Sequence, residues 1–263
     1  MIKTYKVAVV TGASCGIGAA VARRLVQQGI KLILIARRED KLSQLAQELR
    51  VYAACHVIAC DVCDHAKLQA ALSVLPPEFS AVDILINNAG IPLGLEPAQN
   101  TLWQDWQQMI ATNCTALAFI THLLLPSMVA RNCGHIVNLS SIAGSYPYYG
   151  GNVYGATKAF VSQLSRNLKA DLLGTAVRVT NIEPGMVGGT EFSQVRFKGD
   201  ERSAENVYKG ADPLLPESVA ECVAWAIAQP AYVNINRIEL MPVCQAPNGL
   251  AVHRNSSVKN ILA

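Results

Sequence analysis

The sequence has little charge. Asp, Glu, Lys and Arg together make up 16% of its 263 residues, and the net charge is only +3. So small an imbalance argues against a nucleic acid or a membrane surface as a partner, and no basic amphipathic run or aromatic-rich basic patch is present. Hydrophobic residues make up 51%. A chain of this composition can bury a sizeable core, so disorder is not expected.

Long apolar segments and metal-ligand spacings are also missing from the sequence. No segment is expected to reach the length that spans a bilayer, and residues 1–6 lead into a strand-like run rather than a secretion signal. Cysteine and histidine cluster at 55–65, but no second cysteine pair at finger spacing follows, so a strand running into a loop is preferred to a zinc site. We expect reduced, mostly buried thiols, a cytoplasmic protein and no metal.

Short apolar runs alternate with amphipathic helical patterns along the whole chain. Such alternation predicts βαβ units and a parallel sheet. We therefore expect an α/β, Rossmann-like, doubly wound fold, with a mainly parallel sheet of about seven strands flanked by helices. No internal repeat or linker is visible, so residues 1–263 are interpreted as a single domain. The strand-like runs are 7–10, 31–35, 56–60, 82–86, 136–139, 177–182 and 235–240.

A glycine-rich turn follows the first predicted strand and opens a helix. Gly12, Gly16 and Gly18 are spaced Gly-x-x-x-Gly-x-Gly, which differs from the commoner Gly-x-Gly-x-x-Gly. Glycines allow the backbone to approach a pyrophosphate, and a helix N-terminus supplies free N–H groups. An ordinary strand-to-helix turn is the alternative, but the strand–turn–helix context favours nucleotide binding.

Two arginines end the second predicted strand, where enzymes that use NAD place an acid for the ribose 2′-hydroxyl. Arg37 and Arg38 are suited instead to a 2′-phosphate, which a guanidinium can bind with a forked donor pair. The position therefore favours NADP. Glu39 and Asp40 offer the alternative, since they could pair with the arginines on a solvated helix start.

Tyr154 and Lys158 are four residues apart on a predicted helix, so a phenol and an ammonium project from one face. A nearby cation favours the phenolate, and we expect Lys158 to lower the pKa of Tyr154. The pair could donate or accept a proton. By itself, such a pair is more often structural than catalytic.

Two further features need context. Asn113 lies inside a long helical pattern, and from the residues alone a solvent-facing side chain is the preferred interpretation. Residues 188–212 are rich in glycine, serine and charge, and they are interpreted as a lid-like loop with a short helix. We call this segment the lid.

Together these motifs resemble the short-chain dehydrogenase/reductase family over nearly the whole chain, and Ser141 lies thirteen residues before Tyr154, as in that family. The resemblance implies that Tyr154 is the general acid or base and that Lys158 lowers its pKa and binds the nicotinamide ribose. It also implies that Ser141 bonds the substrate oxygen and that Asn113 completes a proton path. The cofactor contacts that it implies are Gly12, Ser14, Cys15, Gly16, Ile17, Gly18, Arg37, Arg38, Asp61, Val62, Asn87, Asn88, Ala89, Gly90, Tyr154, Lys158, Pro184, Gly185, Val187 and Thr190.

Within that family, the stretches 144–154, 184–192 and 195–200 are similar to the NADP-dependent enzymes that oxidise serine or allo-threonine and reduce malonic semialdehyde. That subgroup is cytosolic and tetrameric, so the resemblance implies a homotetramer. Cys15 departs from the small or basic residue often found in the turn, and the tail beyond Arg254 looks longer than the subgroup's.

A small hydroxy acid needs a cation for its carboxylate. Arg196 and Lys198 in the lid are the candidates, with solvent-facing side chains as the equal alternative. We take Ser141, Tyr154 and Arg196 as the substrate contacts. Two other functions stay open: a reductase of the same fold with a bulkier carbonyl or 3-ketoacyl substrate, and a dinucleotide sensor without turnover.

Overall fold

All seven strands belong to one sheet. The computed structural model describes residues 5–247, so the tail departure beyond Arg254 lies outside the described residues. The strand order is β3-β2-β1-β4-β5-β6-β7, and each of the six pairings is parallel, which confirms the predicted fold. The strands are β1 Val7–Thr11, β2 Lys31–Ala36, β3 Cys55–Ala59, β4 Ile84–Asn87, β5 Gly134–Leu139, β6 Val177–Pro184 and β7 Arg237–Leu240.

Helices cover both faces of this sheet, which makes the fold doubly wound. Alternate strand residues point to opposite faces: Ala8 and Val10 pack in one core layer, and Val7 and Val9 in the other. Helices α1, α2 and α9 cover the first face, and α3, α5 and α6 the second. In the described residues the helices are α1 Gly16–Val26, α2 Glu39–Leu49, α3 His65–Ser73, α4 Trp103–Ile110, α5 Leu117–Ala130, α6 Asn152–Asp171, α7 Phe192–Arg196, α8 Glu201–Asn206 and α9 Pro216–Ala228.

Helices α4 and α5 are joined without a break by a π-helical turn, Ala111–Ala116. The resulting helix, Trp103–Ala130, is 28 residues long and apolar enough to cross a membrane by length and composition alone. The expectation that no segment reaches that length is therefore wrong on this measure. Ile120 and Met128 nevertheless pack against the sheet, as the buried residues of a core helix do.

The carboxyl ends of the parallel strands meet at one edge of the sheet. Strand order reverses between β1 and β4, and ligands of open α/β sheets bind in the crevice at this kind of position. The glycine turn follows β1 there, Asn88 follows β4, Ser141 follows β5 and Gly185 follows β6. The fold therefore brings these sequence motifs together.

All eight cysteines have free thiols, but the expectation that most are buried is wrong. Cys55 and Cys60 are buried, Cys244 is exposed and the other five are half-buried. The stretch 55–65 forms β3 and the turn into α3. Within residues 5–247, no group of three His, Cys, Asp or Glu side chains could bind a metal ion.

Candidate active site

A cavity of about 1010 Å³ opens at the carboxyl edge of the sheet. Its wall combines the glycine turn, the loops after β2 to β6 and the lid. Twenty of the predicted site residues line it: Gly12, Ser14, Cys15, Gly16, Ile17, Arg37, Arg38, Asp61, Val62, Asn88, Ala89, Gly90, Ser141, Tyr154, Lys158, Pro184, Gly185, Val187, Thr190 and Arg196. Gly18, Asn87 and Asn113 lie behind this wall.

The glycine turn leaves no room for side chains. Gly12 has a φ of +65°, and a Cβ at this position would lie 2.8 Å from the side-chain nitrogen of Asn88. A Cβ on Gly18 would lie 2.3 Å from the carbonyl oxygen of Gly12. Helix α1 begins at Gly16, so its free N–H groups face the cavity beside this bare backbone. The turn therefore has the form that binds a pyrophosphate.

Side-chain hydrogen bonds fix the glycine turn to the loop after β4. Thr11 Oγ1 accepts from the backbone N–H groups of Asn88 and Ala89, each at 3.0 Å. Asn88 Nδ2 donates to the carbonyl oxygens of Thr11 and Gly12, at 2.9 and 3.2 Å. Two walls of the cavity are thus joined by four half-buried hydrogen bonds.

The predicted phosphate end of the cavity contains both arginines. Arg38 donates from Nη2 to Ser14 Oγ at 3.0 Å, and its carboxylate partner is Glu191. Arg37 is largely exposed and lies 4.0 Å from Asp61. Among residues 5–247, neither Glu39 nor Asp40 pairs with these arginines, so that alternative is not realised. Cations beside a hydroxyl and a helix N-terminus fit the 2′-phosphate of NADP.

At the other end of the cavity, Tyr154 and Lys158 project from α6. Only 7% of Tyr154 and 6% of Lys158 is exposed. Lys158 Nζ donates to the carbonyl oxygen of Leu139 at 2.8 Å and lies 5.8 Å from the centre of the Tyr154 ring. Ser141, a side chain that lowers the pKa of Tyr154, donates from its Oγ to the carbonyl oxygen of Pro184 at 3.3 Å. Its Oγ also accepts from the backbone N–H of Ala143 at 3.1 Å.

Burial raises the pKa of Tyr154 above its ordinary value, because the phenolate loses its hydration. The charge of Arg196 and the hydrogen bond from Ser141 act in the opposite direction. We expected Lys158 to lower this pKa, but in this structure Arg196 is the cation that does so. Sequence spacing could not show this, because Arg196 is 42 positions away.

Burial also lowers the pKa of Lys158 to about 8 from its ordinary value of 10.5, with a small opposing effect of Cys114. Between those two pH values the unfolded chain is protonated at Lys158 and the folded chain is not. The folded state then binds fewer protons, so the contribution of Lys158 to the free energy of unfolding rises with pH across this window.

This titration predicts how a Lys158→Met variant differs in stability from the unsubstituted protein. The stability of the unsubstituted protein should gain about 3 kcal/mol relative to the variant between pH 8 and 10.5. Urea unfolding at both pH values measures the change, with the exposed Lys67→Met as the matched control. A constant difference between the two proteins would contradict the lowered pKa.

Asn113 lies in the π turn, and only 1% of it is exposed. The solvent-facing interpretation is therefore wrong. Its Oδ1 accepts from the backbone N–H of Ile91 at 2.8 Å, and its Nδ2 donates to the carbonyl of Ile91 and the hydroxyl of Thr157. The π turn widens the helix here, and this brings the side-chain amide of Asn113 within hydrogen-bond distance of these partners. Such turns are frequent at functional sites. Asn113 thus connects the loop after β4 to α6.

Asn87 was predicted to contact the cofactor, but it does not line the cavity. Its Nδ2 donates to Thr121 Oγ1 at 2.9 Å and to Asn138 Oδ1 at 2.8 Å, so the side chain points between β4, β5 and α5. Gly18 is also behind the wall, where its missing side chain lets α1 approach Gly12. Both residues support the cavity wall without lining it.

The lid separates the two predicted carboxylate ligands. Arg196 lines the cavity, with its guanidinium carbon 5.3 Å from the Tyr154 ring centre and 4.8 Å from that of Phe192. Its Nη2 donates to the hydroxyl of Tyr148 at 3.1 Å. Lys198 instead points away and pairs with Asp105 at 2.8 Å, so it is not a ligand candidate.

Three residues of the site were missed from the sequence. Tyr148 and Phe192 form two sides of the aromatic enclosure around Arg196, and Glu191 pairs with Arg38 across the cavity rim. All three lie in stretches that carried the resemblance. Nothing in their spacing indicated a role, because each contact joins elements that are far apart in the chain.

A glycine turn at a helix N-terminus and a buried tyrosine–lysine pair share one cavity at the carboxyl edge of a parallel sheet. This is the arrangement of an enzyme that works with a dinucleotide. A family model described as short chain dehydrogenase matches residues 6–201, and the chain belongs to that family.

The chain is similar to named proteins over nearly its full length. The chain is 53% identical over 248 residues to a protein of Escherichia coli O6:H1 named NADP-dependent 3-hydroxy acid dehydrogenase YdfG, covering 94% of this chain and 99% of that one. It is 48% identical over 247 residues to a protein of Agrobacterium fabrum named serine 3-dehydrogenase, covering 94% and 98%. The solved closed form of serine dehydrogenase complexed with NADP+ matches with a TM-score of 0.91 at 52% identity, covering 95% of this chain and 100% of that one.

Proposed function

We propose that the protein is an NADP-dependent oxidoreductase that transfers a hydride between NADP(H) and a short 3-hydroxy acid or β-hydroxy amino acid. L-allo-threonine, serine and the pair 3-hydroxypropionate and malonic semialdehyde are the candidate substrates. The names of the relatives support this class. The observation that carries it is the environment of Arg196.

Arg196 is a cation without an acidic partner beside the predicted catalytic tyrosine. Within residues 5–247 no carboxylate lies within ion-pair distance of it, and its buried Nε has no hydrogen-bond partner. The acids that line the cavity, Asp61 and Glu191, pair with the arginines at the other end. A buried N–H group without a hydrogen-bond partner is costly, and a substrate carboxylate would satisfy the Nε of Arg196.

This geometry suits a hydroxyl group two carbons away from the carboxylate carbon. A carboxylate bound at Arg196 leaves the short remainder of the molecule above the Tyr154 ring, 5.3 Å from the guanidinium carbon. A 3-hydroxy group can then reach the phenol and Ser141. The bond from Ser141 would orient the substrate oxygen and stabilise its developing charge.

The proposed mechanism uses the residues that the resemblance implied. During oxidation Tyr154 takes the proton of the substrate hydroxyl, and during reduction it returns a proton to the carbonyl oxygen. Arg196 favours the phenolate, and Asn113 connects the loop at Ile91 to α6 through Thr157. We propose that Lys158 binds the nicotinamide ribose. NADP, when bound, supplies the nicotinamide ring that accepts or donates the hydride. We propose that the cavity-lining residues named above, other than Arg196, contact the cofactor or take part in catalysis.

A bulkier substrate remains the second candidate of the same class. Under the lid the cavity is also lined by Met186, Phe192, Val195 and Val207, which provide apolar surface. An unpaired Arg196 in that surface would destabilise a neutral ligand, because the charge would lose water without gaining a partner. For a sensor without turnover we find no supporting feature among the described residues.

The test is nicotinamide absorbance after mixing the purified protein with NADP and L-allo-threonine, L-serine or 3-hydroxypropionate, with NAD in parallel. We expect reduction of NADP with at least one of these acids and much less with NAD. No turnover on any acid, together with turnover on a neutral ketone or a 3-ketoacyl thioester, would replace this proposal with the bulkier-substrate one.

We also propose a cytoplasmic homotetramer built from single-domain subunits, each with residues 188–212 as the lid. Apolar side chains on the outer helices support self-association: Trp103, Ile110 and Phe160 are 60%, 42% and 42% exposed. Light scattering of the purified protein tests the tetramer, and fractionation of cells tests the location. A nucleic acid or a membrane is not among the proposed partners.

A further inference from the structure

Glu191 makes a three-residue ionic contact across the rim of the cavity, and we call it the clasp. Its carboxylate accepts from Arg38 Nη1 at 2.9 Å and lies 2.8 Å from Nη2, which is a bidentate arrangement. It also accepts from Lys41 Nζ at 2.9 Å. Arg38 and Lys41 belong to the start of α2, about 150 residues away in the chain. The clasp therefore joins the lid to the opposite side of the cavity.

The clasp is more than an isolated surface pair. Arg38 Nη2 donates to Ser14 Oγ at 3.0 Å, so the same guanidinium is fixed to the glycine turn. The hydrogen bond from Arg38 lowers the pKa of Glu191 to about 2, and the carboxylate stays ionised at every useful assay pH. Exposed single pairs contribute little, but bidentate geometry and a second cation give a network its strength.

The position of Glu191 in the lid links the clasp to the catalytic end of the cavity. Glu191 is the N-cap residue of α7, and its carbonyl accepts from the backbone N–H of Val195 at 2.9 Å. The same helix carries Phe192, which meets the Tyr154 ring edge-on at 5.7 Å, and Arg196. Whatever fixes Glu191 therefore fixes the first turn of the helix that covers the proposed substrate.

The clasp closes above the cavity without filling it. Glu191 and Arg38 both line the cavity, which retains about 1010 Å³ with the contact made. On the same side, Thr190 packs against the glycine turn, where a Cβ on Gly16 would lie 3.1 Å from its methyl group. A cofactor extended along the glycine turn would lie close to this rim, and opening of the contact would clear its way in and out.

We propose that Glu191 is a positioning residue for the cofactor and the lid: its clasp with Arg38 and Lys41 retains the bound dinucleotide and places α7 over Tyr154. The inference rests on the proposed NADP-dependent function. Glu191 would set the rate at which the cofactor dissociates, without contacting the 2′-phosphate itself. Because Arg37 remains available for the 2′-phosphate while Arg38 holds Glu191, the clasp should act on NADPH and NADH alike.

The test is the rate of cofactor dissociation from Glu191→Gln, followed by stopped-flow nicotinamide fluorescence. Losing a bidentate charged contact should raise the NADPH and NADH dissociation rates by a similar factor, roughly tenfold. Glu201→Gln, an exposed acid on α8 of the same lid, should leave both rates unchanged. Lys41→Gln should give a smaller increase that does not add to the effect of Glu191→Gln, since both act on one contact.

The rate of proteolysis within the lid provides a second measurement. With NADPH bound, trypsin should cleave at the exposed Arg202 faster in Glu191→Gln than in the unsubstituted protein or Glu201→Gln. Unchanged dissociation and cleavage rates would overturn the proposal. So would tighter binding of NADPH with NADH unchanged, because Glu191 would then be a competitor of the 2′-phosphate. These rates need no substrate, so they stay informative if the hydroxy-acid assignment fails, whereas absence of any NADPH binding would reject the proposed function itself.

Discussion

Tyr154→Phe should abolish turnover and leave cofactor binding intact. The substitution removes a single hydroxyl from a ring that keeps its packing against Phe192, so the fold and the cavity should persist. Proton transfer by a positioned side chain contributes on the order of 10³-fold to a rate, and here no neighbouring group replaces the phenol. Steady-state kinetics with NADP, together with fluorescence titration of NADPH, measure the two quantities separately.

The matched control is Tyr149→Phe, which removes the same hydroxyl from a ring that is 78% exposed. It should keep full activity. If Tyr154→Phe also kept more than a tenth of its kcat, proton transfer by Tyr154 would be refuted, whatever the cofactor affinity. Parallel loss of NADPH binding would point instead to a disturbed cavity.

Arg196→Met should lower kcat/KM for 3-hydroxy acids by roughly 100-fold, because a desolvated carboxylate would lose its charged partner. The methionine keeps contact with Phe192 and Tyr148 but has no charge. Neutral short alcohols should lose much less activity, so the preference for acids should disappear. The pH dependence should change too: Arg196 lowers the pKa of Tyr154 and oxidation needs the phenolate, so the rise of activity with pH should move to higher pH in the variant.

Two variants separate charge from shape at this position. Lys198→Met removes a nearby lid cation that pairs with Asp105 outside the cavity, and it should leave kcat/KM unchanged. Arg196→Lys keeps the charge without the forked donors and should recover part of the loss. If acids and neutral alcohols lost activity equally in Arg196→Met, Arg196 would be a structural residue of the lid and the hydroxy-acid assignment would lose its main support.

The sheet and the positions of its motifs could be predicted because both depend on local patterns. Buried parallel strands give apolar runs, as in β1 and β2, and each run is followed directly by the residues that reach the cavity. The glycine turn could be placed for the same reason. Ser141 follows β5, and Tyr154 lies on α6, the next long helix. The order of these elements is therefore enough to predict that the two residues lie close together.

Contacts between distant segments could not be predicted in this way. Asn87 is the last residue of β4 and Asn88 comes directly after it. Their side chains point to Thr121 and to Gly12 respectively, since successive residues of an extended chain face opposite sides. Arg196 and Lys198 are equally basic, and only the path of the lid separates them. The pKa of Tyr154 depends on burial, which no spacing reveals.

The π turn Ala111–Ala116 makes this stretch sensitive to the deletion of a single residue. A π turn accommodates one residue more than an α-helical turn over the same rise. Removing a residue there would restore regular helical geometry and let α5 keep its buried face, including Ile120. The amide of Asn113 would then rotate away from Ile91 and Thr157. In this stretch the spacing of residues matters as much as their identity, so a one-residue deletion between 111 and 116 should displace the amide even where the asparagine itself is retained.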